Sequence, residues 1–320
     1  MKITVIGCGR WGSCVAWYLD KTGHNVTLYG REKSENMKRI TAERSNGSVD
    51  FSNSISFSTD LNSVTASDVI VISINSQGLS HLMKELKEYN LTNKIFVLCM
   101  KGIEISSLKR LSEIVNENTD KSNKAAVWLG PGHVQEFLAG IPNCMVIDSD
   151  DEKVKNLLVD EFSSNLIRFY YGEDLLGNEI GAAAKNVIGI AAGMLDGLKL
   201  TTLKGSLMSR GTREISRLIK AMGGNELSAY GLCHLGDYEA TVFSKYSHNR
   251  EFGECIITGE SYNSLAEGYY TVKALKLLGE KYRVDLPICN AVYSVLYENA
   301  DAQKTINLMF MRDIKSEFYK

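Results

Sequence analysis

Along the first half of the chain, short β-branched runs alternate with stretches whose apolar positions recur every three to four residues. That alternation predicts strands joined by amphipathic crossover helices, as in a parallel sheet. Strands are expected at 3–6, 26–29, 69–74, 95–98, 125–129, 144–147 and 166–170, with helices at 11–21, 79–89, 106–115 and 152–162. From about Asp174 the strand signal fades and long helical periodicities replace it, at 177–195, 202–222, 264–278 and 291–297. The expected architecture is an α/β domain over residues 1–172 followed by a mainly α-helical domain over 173–320. No fixed-period repeat interrupts the pattern, and the three prolines are Pro131, Pro142 and Pro287.

Composition narrows the function classes. At 320 residues, 44% hydrophobic and 23% charged, the chain has the make-up of a globular protein long enough for two domains. A net charge of -2, with no long Lys/Arg tract, argues against nucleic acid as a partner. The seven cysteines (Cys8, Cys14, Cys99, Cys144, Cys233, Cys255 and Cys289) form no CxxC pair and no His/Cys cluster at metal spacing. They read as reduced, mostly packed thiols, and no metal site is expected. The opening MKITVIG is too short an apolar run for a signal peptide, and no stretch approaches the roughly 20 apolar residues of a membrane span. The expected location is cytoplasmic, with no membrane partner.

One helical segment stands out chemically. Residues 177–197, GNEIGAAAKNVIGIAAGMLDG, place a single charged side chain, Lys185, among small apolar residues between Glu179 and Asp196. As a helix, the segment puts Ala182, Lys185, Ile188, Gly189 and Ala192 on one face, and it is expected to be packed on nearly every side. Lost hydration favours the neutral amine and draws its pKa from about 10.4 toward the range of proton exchange near pH 7. The alternative is a lysine whose stem packs and whose head reaches water.

Residues 1–31 read as strand, glycine turn, helix and strand, with Gly7, Gly9 and Gly12 completing G-x-G-x-x-G. The first glycine allows the tight turn, the second lets backbone approach a pyrophosphate, and the third packs helix against strand. The helix start, at Arg10 and Trp11, offers N–H groups to the phosphates. Because the motif follows a strand and opens a helix, it predicts a Rossmann-type dinucleotide site. At the end of the second strand, where NAD-selective proteins often carry an acid, the chain reads Tyr29-Gly30-Arg31. Arg31 suits a 2′-phosphate, so the expected cofactor is NADP(H) or NAD(H), leaning to NADP(H); adjacent Glu32 leaves dual use open. A solvated surface arginine is the alternative.

Further motifs follow in one order: SINSQ at 73–77, KGIE at 101–104, GPGHVQE at 130–136, AGIPN at 139–143, GLCHLGDYEAT at 231–241, SHNREFG at 247–253, LAEGYYTVK at 265–273 and DLPI at 285–288. With them the chain resembles the bacterial NAD(P)-dependent glycerol-3-phosphate dehydrogenase family over nearly its whole length. The resemblance implies a Rossmann domain followed by a helical domain, as in 6-phosphogluconate dehydrogenase. It implies interconversion of dihydroxyacetone phosphate and sn-glycerol 3-phosphate, a place in glycerophospholipid biosynthesis, and a homodimer by analogy. Lys185 would then donate or accept the proton at C2, Asp237 would set its position and charge, and Lys101 would reach both substrate and cofactor. Gly130 and Gly132 would bring backbone to the substrate, and Ser247, His248 and Asn249 would contact it. Val134, His248, Leu265 and Glu267 would touch the cofactor. Taken alone, Lys101 reads as a strand-end surface lysine, Asp237 as a surface turn, and Glu267 as a solvated helix charge.

The match breaks at specific positions. The family reads S-R-N-R-x-F-G where this chain has His248 after Ser247. Arginine presents a planar, permanently charged fork; histidine presents at most two donors and is charged only below about pH 6.5. Phosphate affinity is expected to fall or to depend on pH unless Arg250 or Lys204 compensates. Gly132 stands where the family has Ser or Thr, and Cys233 and His234 replace small residues of GLAGLGD. These changes cluster on the expected substrate side, so the alternative substrate is a related hydroxy or keto compound. Two other classes compete: a two-domain dehydrogenase for ketopantoate or 3-hydroxy acids, and a non-catalytic dinucleotide sensor that needs no buried base.

Overall fold

The computed structural model describes residues 1–314, 316 and 317; the end of the expected second domain, 315 and 318–320, lies outside the described residues. Among the described residues eight strands form one sheet: β1 (Lys2–Ile6), β2 (Asn25–Tyr29), β3 (Ser56–Ser58), β4 (Val69–Ile72), β5 (Ile95–Leu98), β6 (Lys124–Leu129), β7 (Asn143–Asp148) and β8 (Ile167–Tyr171). Their order is β3-β2-β1-β4-β5-β6-β7-β8. Helices α1 (Arg10–Lys21), α2 (Glu35–Glu43), α3 (Leu79–Lys87), α4 (Leu111–Asn118), α5 (Val134–Leu138) and α6 (Glu152–Phe162) belong to this half. Then come α7 (Leu175–Gly197), α8 (Lys204–Ala221), α9 (His248–Thr258), α10 (Glu267–Tyr282), α11 (Pro287–Tyr297) and α12 (Ala302–Phe310).

The central strand β4, VIVI, is buried at every position, as a sheet covered on both faces requires. One face packs Val5, Val15, Trp128 and Phe162 together, the other Ile70, Leu82, Phe96 and Ile114. A third core surrounds α7, with Val187 and Ile190 against Ile215, Leu275 and Val292.

The sheet departs from the expected all-parallel order at one junction. Every neighbouring pair is parallel except β6 with β7, which run antiparallel with Trp128 opposite Ile147. The link between them holds only the five-residue α5, so the chain turns straight back from the end of β6 rather than crossing over the sheet. The predicted helix over 106–115 begins later, at Leu111, because Ile103 bridges Arg110 and Leu108 adopts φ +57.

Helices α7 and α9 approach backbone to backbone. A Cβ on Gly193 would lie 1.8 Å from the Arg250 carbonyl oxygen, and one on Gly253 would lie 2.1 Å from the Ile190 carbonyl oxygen. The small residues around Lys185 therefore serve as a close-packing surface for α9. That helix escapes sequence reading because only Gly253 and Cys255 of it are buried, too few for an apolar stripe.

Candidate active site

The loops after β1, β4, β5 and β6 emerge at the carboxyl end of the sheet, where open α/β sheets bind ligands. After β1, Gly7 has φ +116 and its N–H donates to the Tyr29 carbonyl at 3.0 Å. A Cβ there would lie 2.1 Å from the Ser73 carbonyl oxygen, and one on Gly12 would lie 1.9 Å from that of Gly7. Gly9 differs, with nothing within 4 Å of where its Cβ would stand. It caps α1 without a side-chain hydrogen bond, and the first turn carries no acid, so no side chain caps the first amides of the helix. These residues fit a dinucleotide pyrophosphate. Trp11 tilts against Phe137 at 6.2 Å, and Val134 is buried at the start of α5. Arg31 lies 3.7 Å from Glu85, with a side chain 66% exposed.

Across the cleft, a carboxylate holds two lysines. Asp237, 1% exposed, accepts from Lys101 Nζ at 2.6 Å and lies 3.2 Å from Lys185 Nζ. Lys101 also donates to the Gly130 carbonyl at 2.7 Å, which ties the loop after β6 to the strand end after β5. Lys185 Nζ donates to Thr241 Oγ1 at 2.8 Å, and that hydroxyl donates to the Asp237 carbonyl at 2.7 Å. Burial lowers the Lys185 pKa to about 8, against the pull of Asp237 and with the push of Lys101. The amine is thus poised between its two protonation states near neutral pH.

A chain of amides positions this centre. Asn186 Nδ2 donates to the Lys101 carbonyl at 3.0 Å, and Asn249 Nδ2 donates to Asn186 Oδ1 at 3.1 Å. Asn249 Oδ1 accepts from Gly268 N at 2.9 Å, so α7, α9 and α10 are locked around the lysine. Glu267 accepts from Ser76 N at 3.3 Å, joining α10 to the loop after β4; burial raises its pKa to about 7. Leu265, two residues earlier, is exposed. Asn186, Thr241 and His133 were not singled out by the sequence. Asn186 carried a signal all the same, as an amide beside Lys185 in an apolar run.

The departures from the family pattern separate into two groups. Ser247 caps α9, accepting from Arg250 N at 3.3 Å, and His248 opens that helix. Nδ1 of His248 is buried without a hydrogen bond, while burial and the Arg10 charge lower the ring's proton affinity. The two cations that could have compensated are engaged elsewhere. Arg250 donates to Asp196 at 2.9 Å and to Glu254 at 2.8 Å, and Lys204 donates to Asp196 at 2.7 Å and to the Val242 carbonyl. Both cations neutralise a half-buried acid instead. Gly130 and Gly132 have φ +122 and +154, and the Phe137 ring stands 2.4 Å from where a Gly132 Cβ would be, so the lost hydroxyl is replaced by aromatic packing.

His234, by contrast, is a core residue. Its Nδ1–H donates to the Gly181 carbonyl at 2.8 Å, Nε2 accepts from the Tyr238 hydroxyl at 2.7 Å, and burial lowers its pKa to about 4. Cys233 is buried too. All seven cysteines are free thiols, and no His/Cys/Asp/Glu group among the described residues is arranged to hold a metal.

Two family descriptions match almost end to end: "NAD-dependent glycerol-3-phosphate dehydrogenase N-terminus" over residues 2–155 and its "C-terminus" over 174–307. Glycerol-3-phosphate dehydrogenase [NAD(P)+] of Thermoanaerobacter sp. is 35% identical over 331 residues, covering 100% of this chain and 99% of the relative. The enzyme of the same name from Fusobacterium nucleatum is also 35% identical, covering 99% and 98%. The crystal structure of glycerol-3-phosphate dehydrogenase from Coxiella burnetii superposes with a TM-score of 0.91 at 26% identity, covering 97% of this chain and 99% of that one. With both halves matched and the polar centre built where they meet, the chain belongs to the NAD-dependent glycerol-3-phosphate dehydrogenase family.

Proposed function

We propose that this protein interconverts dihydroxyacetone phosphate and sn-glycerol 3-phosphate with NAD(H) or NADP(H). The observation that carries the reading is the shared carboxylate: Asp237 holds both Lys101 and Lys185 at the carboxyl end of the sheet, the end where the glycine turn also lies. When bound, the nicotinamide supplies or accepts the hydride at C2. The protein supplies the proton. Lys185, lowered to about 8, gives it to the C2 oxygen in reduction and takes it back in oxidation. Lys101 adds a second positive charge near the same oxygen, and the burial of both amines strengthens their effect. Asp237 orients the two amines and keeps Lys185 from losing its proton to burial alone. Neither a ketopantoate-type dehydrogenase nor a sensor is favoured by the full-length matches.

Residues 1–172 would carry the dinucleotide and 173–320 the proton donor. The exposed guanidinium of Arg31 supports a preference for NADP(H). Seven free thiols support a reducing, cytoplasmic location. No helix among the described residues is long and apolar enough to cross a membrane. Exposed Leu308, Phe310 and Met311 on and after α12 support a homodimer, which the solution mass would check. The functional test is a rate comparison, following reduced nicotinamide absorbance, between dihydroxyacetone phosphate and unphosphorylated dihydroxyacetone. Strong preference for the phosphate is expected; equal rates would sink the reading.

A further inference from the structure

The carboxylate that holds both lysines stands on a segment with little regular structure of its own. Asp237 ends a three-residue 3-10 turn, Leu235–Asp237, and a five-residue π turn, Glu239–Phe243, begins two residues later. Such short turns have poor hydrogen-bond geometry and by themselves hold a side chain loosely. Asp237 is nevertheless 1% exposed and lies 3.2 Å from Lys185 Nζ. Contacts from outside the turn must set that distance.

Two fully buried side chains flank Asp237 in sequence and supply those contacts. His234 Nδ1–H donates to the Gly181 carbonyl at 2.8 Å, and the Tyr238 hydroxyl donates to His234 Nε2 at 2.7 Å, with the ring centroids 4.9 Å apart. Gly181 lies one helical turn before Lys185, and in an α-helix the Lys185 N–H donates to that same carbonyl. The pair therefore grips the turn of α7 that presents the amine. A Cβ on Gly181 would lie 3.0 Å from His234 Cβ, so glycine there lets the histidine come close. The Asp237 backbone is held as well: its N–H donates to the His234 carbonyl at 3.0 Å, and its carbonyl accepts from Thr241 Oγ1 at 2.7 Å.

We infer that His234 and Tyr238 form a brace that sets the position of Asp237 against Lys185. Its effect on turnover rests on the activity proposed above. Both are positioning residues, acting through Asp237 rather than on the substrate. The brace is built from neutral groups: burial lowers His234 to about 4 and raises Tyr238 well above the usual tyrosine range, so neither changes charge while Lys185 titrates. The groups facing Lys185 are Asp237, Lys101, Glu267 and the His133 ring; those facing His234 are Asp237 and Lys185, and those facing Tyr238 are Glu214 and Cys289. Of the charges around Lys185, only Asp237 stands on the braced segment. Loosening the brace weakens the one nearby attraction that the segment controls, while burial and Lys101 still drive the proton off, so the amine loses it at lower pH.

The test compares the parent with His234→Ala and Tyr238→Phe, each checked by circular dichroism and thermal melting. One readout is the pH dependence of kcat/KM for reduction of dihydroxyacetone phosphate. The other is the titration of the Lys185 amine by NMR of isotope-labelled lysine, its resonance identified by its loss in Lys185→Met. In His234→Ala both midpoints should move down by about half a pH unit or more, and kcat should fall about tenfold. Tyr238→Phe removes one oxygen and leaves no ring-sized hole, and it should move both midpoints in the same direction by less. That variant decides the matter if His234→Ala does not fold. Midpoints that stay put or rise in folded variants overturn the inference whatever happens to stability or kcat, because a purely structural core residue would lower the melting temperature without moving the proton. If the parent does not reduce dihydroxyacetone phosphate, the proposed activity fails, and the NMR midpoint still decides the brace.

Discussion

At the residue scale, the central quantity is the proton on Lys185. An amine lowered to about 8 is mostly protonated below that pH and mostly neutral above it. In the direction of ketone reduction, kcat/KM should therefore fall about tenfold per pH unit above about 8. In the direction of alcohol oxidation it should rise through the same pH and level off. A profile flat through pH 7 to 9 in both directions would remove Lys185 from the proton transfer. Lys185→Met should cost about a thousandfold or more in turnover, while dinucleotide binding, read by fluorescence titration, stays near the parent value. Arg31→Ala should raise KM for NADPH several-fold more than KM for NADH, because the 2′-phosphate is the only group that distinguishes them. Lys185 was legible in the sequence because one charge among small apolar residues violates patterning. His133 was not, because a histidine in a loop gives no sign of burial until Tyr246 packs on it from the other half of the chain.

At the scale of elements, the site depends on how closely α7 and α9 approach. Gly189, Gly193 and Gly197 recur every four residues along one face of α7, and the α9 backbone lies against them. Gly193→Leu should destabilise the protein by about 2–3 kcal/mol in urea unfolding, since the Arg250 carbonyl occupies the space a side chain needs. The same variant should lose activity at temperatures where it remains folded, because α9 carries His248 and Asn249 and is capped by Ser247. Unchanged stability and rate would show that the helices can separate without consequence. The sequence displayed the small-residue periodicity of α7 but gave no hint of its partner. The polar run SHNREFG has no apolar stripe, and its helix is stabilised by contact rather than by amphipathicity.

At the scale of the whole molecule, the two halves are pinned by buried polar links as well as by the site itself. Glu179 of α7 accepts from Arg110 Nη1 at 2.7 Å, and from Ser112 N and Oγ at 2.9 and 2.6 Å. Glu179→Ala would leave the largely buried Arg110 with only the longer contacts to Glu113 and the Ser112 hydroxyl, and should cost about 3 kcal/mol of stability by urea unfolding. A loss under 1 kcal/mol would mean that water replaces the carboxylate freely. The sequence by itself determined the alternation of strands and helices, the glycine turn and the chemically exceptional lysine. These follow from local spacing, because periodicity, turn chemistry and the cost of burying a charge are all readable along a chain. Only the tertiary structure decided that β7 turns back antiparallel, that Arg250 and Lys204 answer to Asp196, and that His234 is a core residue. Each of those outcomes depends on which groups compete for the same partner in space, and sequence order carries no record of that competition.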